Sequence, residues 1–299
     1  MSNITCILDA CSVINLIHID EDDFLQKKLE KLDIRINELV FKEIRSNVYN
    51  KLNLIDKRIS ADSSITKDLI KNIEIQLTYF RSKIKLNEDV FKDLGDDYFE
   101  RIGEITGYIK ANGELHSTAL ALYLSRTESK KIFFYTDDYP AKNEFSSFFE
   151  FQQIGQIKDS VDLLVLLFWI DENFSKAQLL NFISKLFSEY AIEVSFLEKE
   201  LKSYLENNVD AKFAKTNPGV RENLKELISK LSNHNFSKIS ENKEFFEQKK
   251  QKCKIINDII KKYNKVFELQ NTSIDILVKI RNLEGDLKTN KVYKILDLC

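Results

Sequence analysis

Five acidic residues have settings in which carboxylates could act together: Asp9, Glu43, Glu114 and the adjacent pair Asp137 and Asp138. Asp9 follows a short apolar run, ITCIL at 4–8, and the Asp pair follows another, KIFFYT at 131–136. Glu114 opens an alanine-containing helical pattern, and Glu43 lies inside an amphipathic one. Acids that end strands or begin helices can be gathered at one edge of a parallel sheet, because such sheets bind ligands outside the carboxyl ends of their strands. Carboxylates held within a few ångströms raise each other's pKa by repulsion unless a cation neutralises them. The chemistry this arrangement suits is metal-dependent hydrolysis of a phosphodiester: two or more carboxylates anchor the ion, and another orients a water. No histidine is required.

The elements that must position these acids can be read along the chain. ITCIL is apolar and β-branched, as a strand buried on both faces should be, and ACSVINLI at 10–17 reads as a helix starting on the small residues Ala10 and Cys11. IRIN at 34–37 is a second strand, and 38–52 is a helix with Val40, Phe41, Ile44 and Val48 on one stripe and Glu43 between them. Residues 50–70 are charged and poorly patterned, after which 72–80 alternates Ile73, Ile75, Leu77 and Tyr79 and predicts an edge strand. A polar helical stretch over 88–111 stops at Asn112 and Gly113, and ELHSTALALYLSR begins the next helix. The clearest strand is 131–136, and 149–157 is expected to be the last one. From 158 onward apolar residues recur at helical spacing, with a turn at TNPGV, 216–220. The expected division is an α/β domain over 1–190 and an all-helical domain over 191–299.

Bulk properties set the limits. With 299 residues of which 43% are hydrophobic, the chain can bury a sizeable core. Its 45 Lys and Arg balance 47 Asp and Glu, so no global field draws nucleic acid and any such site must be local. One local candidate is 249–265, with seven Lys against one Asp, although the same lysines fit the wet face of an amphipathic helix. Only 7 Gly and 2 Pro argue against long linkers. The four cysteines show no C-x-x-C spacing, which fits a reduced, cytoplasmic setting. The first ten residues lack a secretory pattern, and the longest apolar run, 161–170, is too short for a bilayer and reads as a buried helix.

In this order and spacing, CILDACSVINLI, ELVFKEI, GELHSTALAL and KIFFYTDDYPAKNEF resemble the motifs of the PIN-domain nucleases, over roughly residues 1–160. The resemblance implies a PIN-like doubly wound parallel sheet, Mg²⁺ or Mn²⁺ on the acidic cluster, and endoribonuclease activity. Its implied biology is a toxin of a toxin–antitoxin pair or a phage-defence effector. Carried over by position, Asp9, Glu43, Glu114 and one of Asp137 or Asp138 form the cluster, Asp138 fitting a Thr-x-Asp reading that starts at Thr136. Asn15, Thr136 and Lys142 are candidates for substrate contact. Two departures stand out. Cys11 occupies a position where the family often has Ser, Thr or Asn, with Ser12 as a substitute donor, and the stretch between Glu43 and Glu114 is long enough to hold an insertion. The expected partners are RNA, a second copy of the chain, and a protein such as an antitoxin on the helical domain, with no membrane. The rival readings are a non-catalytic PIN-fold interaction module and a DNA-directed, structure-specific nuclease.

Overall fold

In the computed structural model, residues 4–56, 63–85, 90, 92, 95, 97–108, 110–209, 216–233, 235, 238–263, 266–267 and 273–299 are described. The first apolar run is strand β1 (Ile4–Leu8), in which Cys6, Ile7 and Leu8 are fully buried. It pairs in parallel on both sides, with β2 (Asp33–Asn37) and with β4 (Lys131–Tyr135), Cys6 standing opposite Ile34 and Phe133. A strand covered on both edges and both faces has no place for a polar alternation, which is why ITCIL is a continuous apolar run. β3 (Ile84–Lys85) adds to β2 and β5 (Gly155–Lys158) to β4, giving a five-stranded all-parallel sheet in the order β3-β2-β1-β4-β5. The chain thus builds outward from β1 to one edge, then returns to build toward the other. The reversal falls between β1 and β4, the place where open parallel sheets form a ligand crevice at their carboxyl ends.

Parallel pairing requires long crossovers, and here they are helical. α1 (Ala10–Ile19) and α2 (Phe24–Leu29) lead to β2; α3 (Glu38–Asp56) and α4 (Ser63–Arg81) lead to β3. α5 (Asp97–Thr106) and α6 (Gly113–Thr127) lead to β4, α7 (Tyr139–Phe151) to β5, and α8 (Ser160–Ile170) follows it. One core cluster joins Ile7 and Phe134 of the sheet to Leu120 of α6 and to Phe145 and Phe149 of α7.

Two expected strands are corrected. Residues 72–80 lie within α4: Ile73, Gln76, Leu77 and Phe80 are buried, while Ile75 is 41% exposed, which is a helical and not an alternating pattern. The last strand starts at Gly155, because 149–151 complete α7 and Gln153 at φ 54 breaks the chain between them. The charged stretch 50–70 is largely α3 and α4, with 57–62 outside the described residues. Of the polar stretch 88–111, Asp97–Thr106 is helical, and 88, 89, 91, 93, 94, 96 and 109 lie outside the described residues.

The chain forms two units, Met1–Ile183 with Asn290–Cys299, and Ser184–Thr289, so the division falls inside α9 (Lys176–Asn208), short of the expected position near 190. The final ten residues belong to the first unit. They are fastened there by Lys294, whose Nζ donates to the carbonyls of Phe168 (2.7 Å), in the last turn of α8, and of Asp171 and Phe174 in the turn that follows. The second unit adds α10 (Val220–Ser232), α11 (Ile239–Gln248), α12 (Lys254–Lys262) and α13 (Ser273–Lys288) around Leu197, Leu224, Phe246 and Ile256. No helix among the described residues is long and apolar enough to cross a membrane.

Candidate functional site

Asp9 sits one residue past β1, its backbone N–H bonded to the Tyr135 carbonyl at 2.9 Å, so the β1–β4 pairing continues up to the acid. That pairing sets Thr136, one residue past β4, beside it. Asp9 is 2% exposed, and its Oδ2 accepts the Thr136 hydroxyl at 2.9 Å and the Cys11 thiol at 3.2 Å. Its Oδ1 is buried and has no hydrogen-bond partner among the described residues. A buried carboxylate oxygen left unused is costly.

The Asp pair separates by role. Asp137 uses both oxygens: Oδ1 accepts the Ser160 N–H at 2.8 Å, and Oδ2 accepts the Ser160 hydroxyl at 2.5 Å and Asn15 Nδ2 at 2.7 Å. It ties the end of β4 to α1 and to the N-terminus of α8. Asp138 caps α7, and its Oδ1 meets the Ala141 N–H at a long 3.5 Å, while its own N–H donates to Thr136 Oγ1 at 3.1 Å. The charge of Asp138 acts on Glu43 and Glu114.

Glu114 lies in the first turn of α6 and is buried. Its Oε2 accepts the Tyr108 hydroxyl at 3.4 Å, and Asn112 Nδ2 donates to that same hydroxyl at 2.9 Å. Glu43 projects from α3, whose neighbouring Val40 and Ile44 are fully buried. Gly113 explains how α3, β1 and α6 come so close: a Cβ there would lie 2.9 Å from Val40 Cγ2, 3.3 Å from Glu43 Oε2 and 3.8 Å from Asp9 Oδ1. The two carboxylate oxygens are therefore within about 7 Å of each other, the sum of the last two distances.

This crowding appears in the proton affinities. Burial, then the Glu43 charge, pushes Asp9 up to about 6, against the lowering effect of its hydrogen bonds. Burial followed by the charges of Asp9, Asp138 and Glu43 pushes Glu114 up to about 7. Glu43 is raised as well, by burial and by Asp138. Four carboxyls thus share one unfavourable field.

Among the described residues no group of three or more His, Cys, Asp or Glu side chains stands close enough together to hold a metal ion. The donor chemistry nevertheless fits a hard divalent cation, which takes oxygen ligands. Asp9 offers the unused Oδ1, the neighbouring acids are carboxylates, and Gly113 puts no side chain among them. Oxygens sharing one ion stand ~3–4 Å apart, given metal–oxygen bonds of about 2.0–2.6 Å.

The other sequence candidates have structural partners. Asn15 holds Asp137, and Lys142 pairs with Asp159 at 3.3 Å. Asp159 also forms a capping box with Asp162 at the start of α8. Ser12, the expected substitute donor, has a buried hydroxyl without a partner among the described residues, and Cys11 makes the contact itself. Asn112 was expected only as a helix stop, and neither Tyr108 nor Ser160 was expected at the site; Ser160 carried a signal through the D-x-x-D capping pattern of 159–162.

No protein-family model matches the chain, and neither the curated proteins nor the solved structures give a match.

Proposed function

We propose that the first unit is a PIN-like, metal-dependent endoribonuclease whose centre is Asp9, Glu43, Glu114 and Asp138. The observation that carries this reading is the buried, unused Oδ1 of Asp9, placed at the β1–β4 reversal, with the charge of Glu43 raising the pKa of Asp9 and the charges of Asp9, Asp138 and Glu43 raising that of Glu114. A protein retains such a field at a cost in stability, and a divalent ion relieves it.

In this reading Asp9 is the fixed ligand, because Thr136 and Cys11 hold its Oδ2 and leave Oδ1 without a partner beside Gly113. Glu43, partly exposed on α3, and Asp138, whose side chain makes the long Ala141 contact, are the adaptable ones. Glu114, its pKa pushed up to about 7 and with a hydroxyl from Tyr108 on Oε2, is suited to orient a water and accept its proton. Bound Mg²⁺ or Mn²⁺ would polarise a phosphate oxygen and lower the pKa of a coordinated water. Asp137, with both oxygens occupied, positions α8 and Asn15.

The test is cleavage of end-labelled single-stranded RNA by the purified full chain with Mn²⁺ or Mg²⁺. Wild type should cut and Asp9→Asn should not; equal cutting by both would sink the assignment. Parallel single-stranded and flap DNA substrates separate RNA from DNA specificity. Absence of Mn²⁺ binding near neutral pH would favour the non-catalytic interaction module.

A further inference from the structure

The helical unit carries a charged feature made of residues unrelated to the acidic cluster. Between α11 and α12, the N–H groups of Lys252 and Cys253 both bond to the Lys249 carbonyl at 2.9 Å, which curls the turn and leaves Lys250, Gln251 and Lys252 exposed. This turn is fastened to a second one. Lys249 Nζ donates to the Pro218 carbonyl at 2.9 Å and lies 4.3 Å from the Phe245 ring centroid. Gly219, at φ +82, reverses the chain where an added Cβ would lie 3.5 Å from that ring. Between the two turns is a cleft of about 390 Å³, lined by Asn217, Pro218 and residues 248–252.

Among the described residues no acid lines this cleft. Lys250, Lys252 and Lys254 are exposed and have no ion-pair partner among the described residues. Elsewhere on the same unit four lysines are neutralised: Lys202 by Glu198, Lys230 by Glu226, Lys238 by Glu241 and Lys262 by Glu200. A chain of net charge −2 therefore concentrates four lysines within residues 249–254 and leaves three of them unpaired. Like charges clustered on one turn add their fields over a screening length of about 8 Å at physiological salt. The lining is lysine, carboxamide and one proline, with no aromatic or aliphatic anchor of the kind a protein partner would fill.

We propose that this cleft binds the phosphodiester backbone of single-stranded RNA. Lysine acts on phosphate as a point charge and gives affinity without base specificity. The choice of RNA rests on the ribonuclease reading; the anion site itself does not.

The experiment is fluorescence anisotropy of a labelled oligouridylate with the full chain in EDTA, so that the acidic cluster and its metal play no part. The variant Lys250→Gln/Lys252→Gln/Lys254→Gln is compared with Lys199→Gln/Lys225→Gln/Lys288→Gln, which removes the same charge from other exposed lysines of the unit. The cleft variant should lose about tenfold in affinity and flatten the dependence of log K on log salt by about 2, at ~0.7 per phosphate contact, with the control nearly unchanged. Equal behaviour of the two variants, or no binding by wild type, would overturn the proposal. So would displacement of the RNA by polyglutamate at matched charge, which would assign the cleft to an acidic protein surface. Failure here leaves Mn²⁺-dependent cleavage untouched, and failure of cleavage leaves this binding untouched.

Discussion

The Thr136 hydroxyl donates to Asp9 Oδ2 at 2.9 Å, across 127 positions of sequence. Cys11 completes the arrangement by donating to the same oxygen at 3.2 Å and accepting the Asp137 N–H at 3.1 Å. One oxygen of Asp9 is thereby immobilised and the other presented.

Replacing Cys11 tests this arrangement. Cys11→Ala leaves the Asp137 N–H and Asp9 Oδ2 short of a partner each, and should weaken Mn²⁺ binding about 10-fold or more, as loss of a residue that orients a ligand does. Cys11→Ser keeps a donor and acceptor at that place and should restore binding to within a few-fold. Isothermal titration with Mn²⁺ separates the two; equal affinities in Ala and Ser variants would show that the thiol contact does not matter.

Asp137 and Asp138 should fail in different ways. Asp137→Ala strands the Ser160 N–H and hydroxyl and Asn15 Nδ2, and should cost about 3 kcal/mol or more in chemical denaturation. Asp138→Asn keeps the capping acceptor on α7, so the fold should hold within about 1 kcal/mol while Mn²⁺ binding and RNA cleavage fall. The reverse outcome would exchange the two roles.

The raised carboxyls make the metal-free protein sensitive to pH with a defined sign. Asp9 and Glu114 hold protons in the folded state up to about 6 and about 7, whereas the unfolded chain releases them near 3.8 and 4.5. Over that window the folded state binds more protons, so this contribution to stability is largest in acid and declines as pH rises to about 7, then levels off. An ion bound to the ionised cluster should reverse the loss. Thermal melts with and without Mn²⁺ should show a larger metal-induced rise in Tm at about pH 8 than at about pH 5. An equal rise at both would place the metal elsewhere.

The parallel core was legible because β1 and β4 are buried on both faces and so are written as apolar runs, each ending on an acid. Alternation misled at 72–80, where Ile73, Leu77 and Phe80 satisfy a helical period and Ile75 faces solvent; the two periods share Ile73 and Leu77. At the site, Asp9 and Glu114 announced themselves through their neighbours. The division of labour between Asp137 and Asp138 did not, because it depends on Ser160 and Asn15, 23 and 122 positions away. Tyr108 was hidden for a related reason: it reaches Glu114 across the turn before α6, and no local pattern marks it.

The most direct measurement is Mn²⁺-dependent cleavage of labelled single-stranded RNA by wild type, Asp9→Asn and Glu114→Gln, all shown to be folded. The account predicts cutting by wild type alone, with rate loss of at least about 10² in each variant. Cutting by either variant at the wild-type rate, or none by wild type with saturating Mn²⁺, would contradict it.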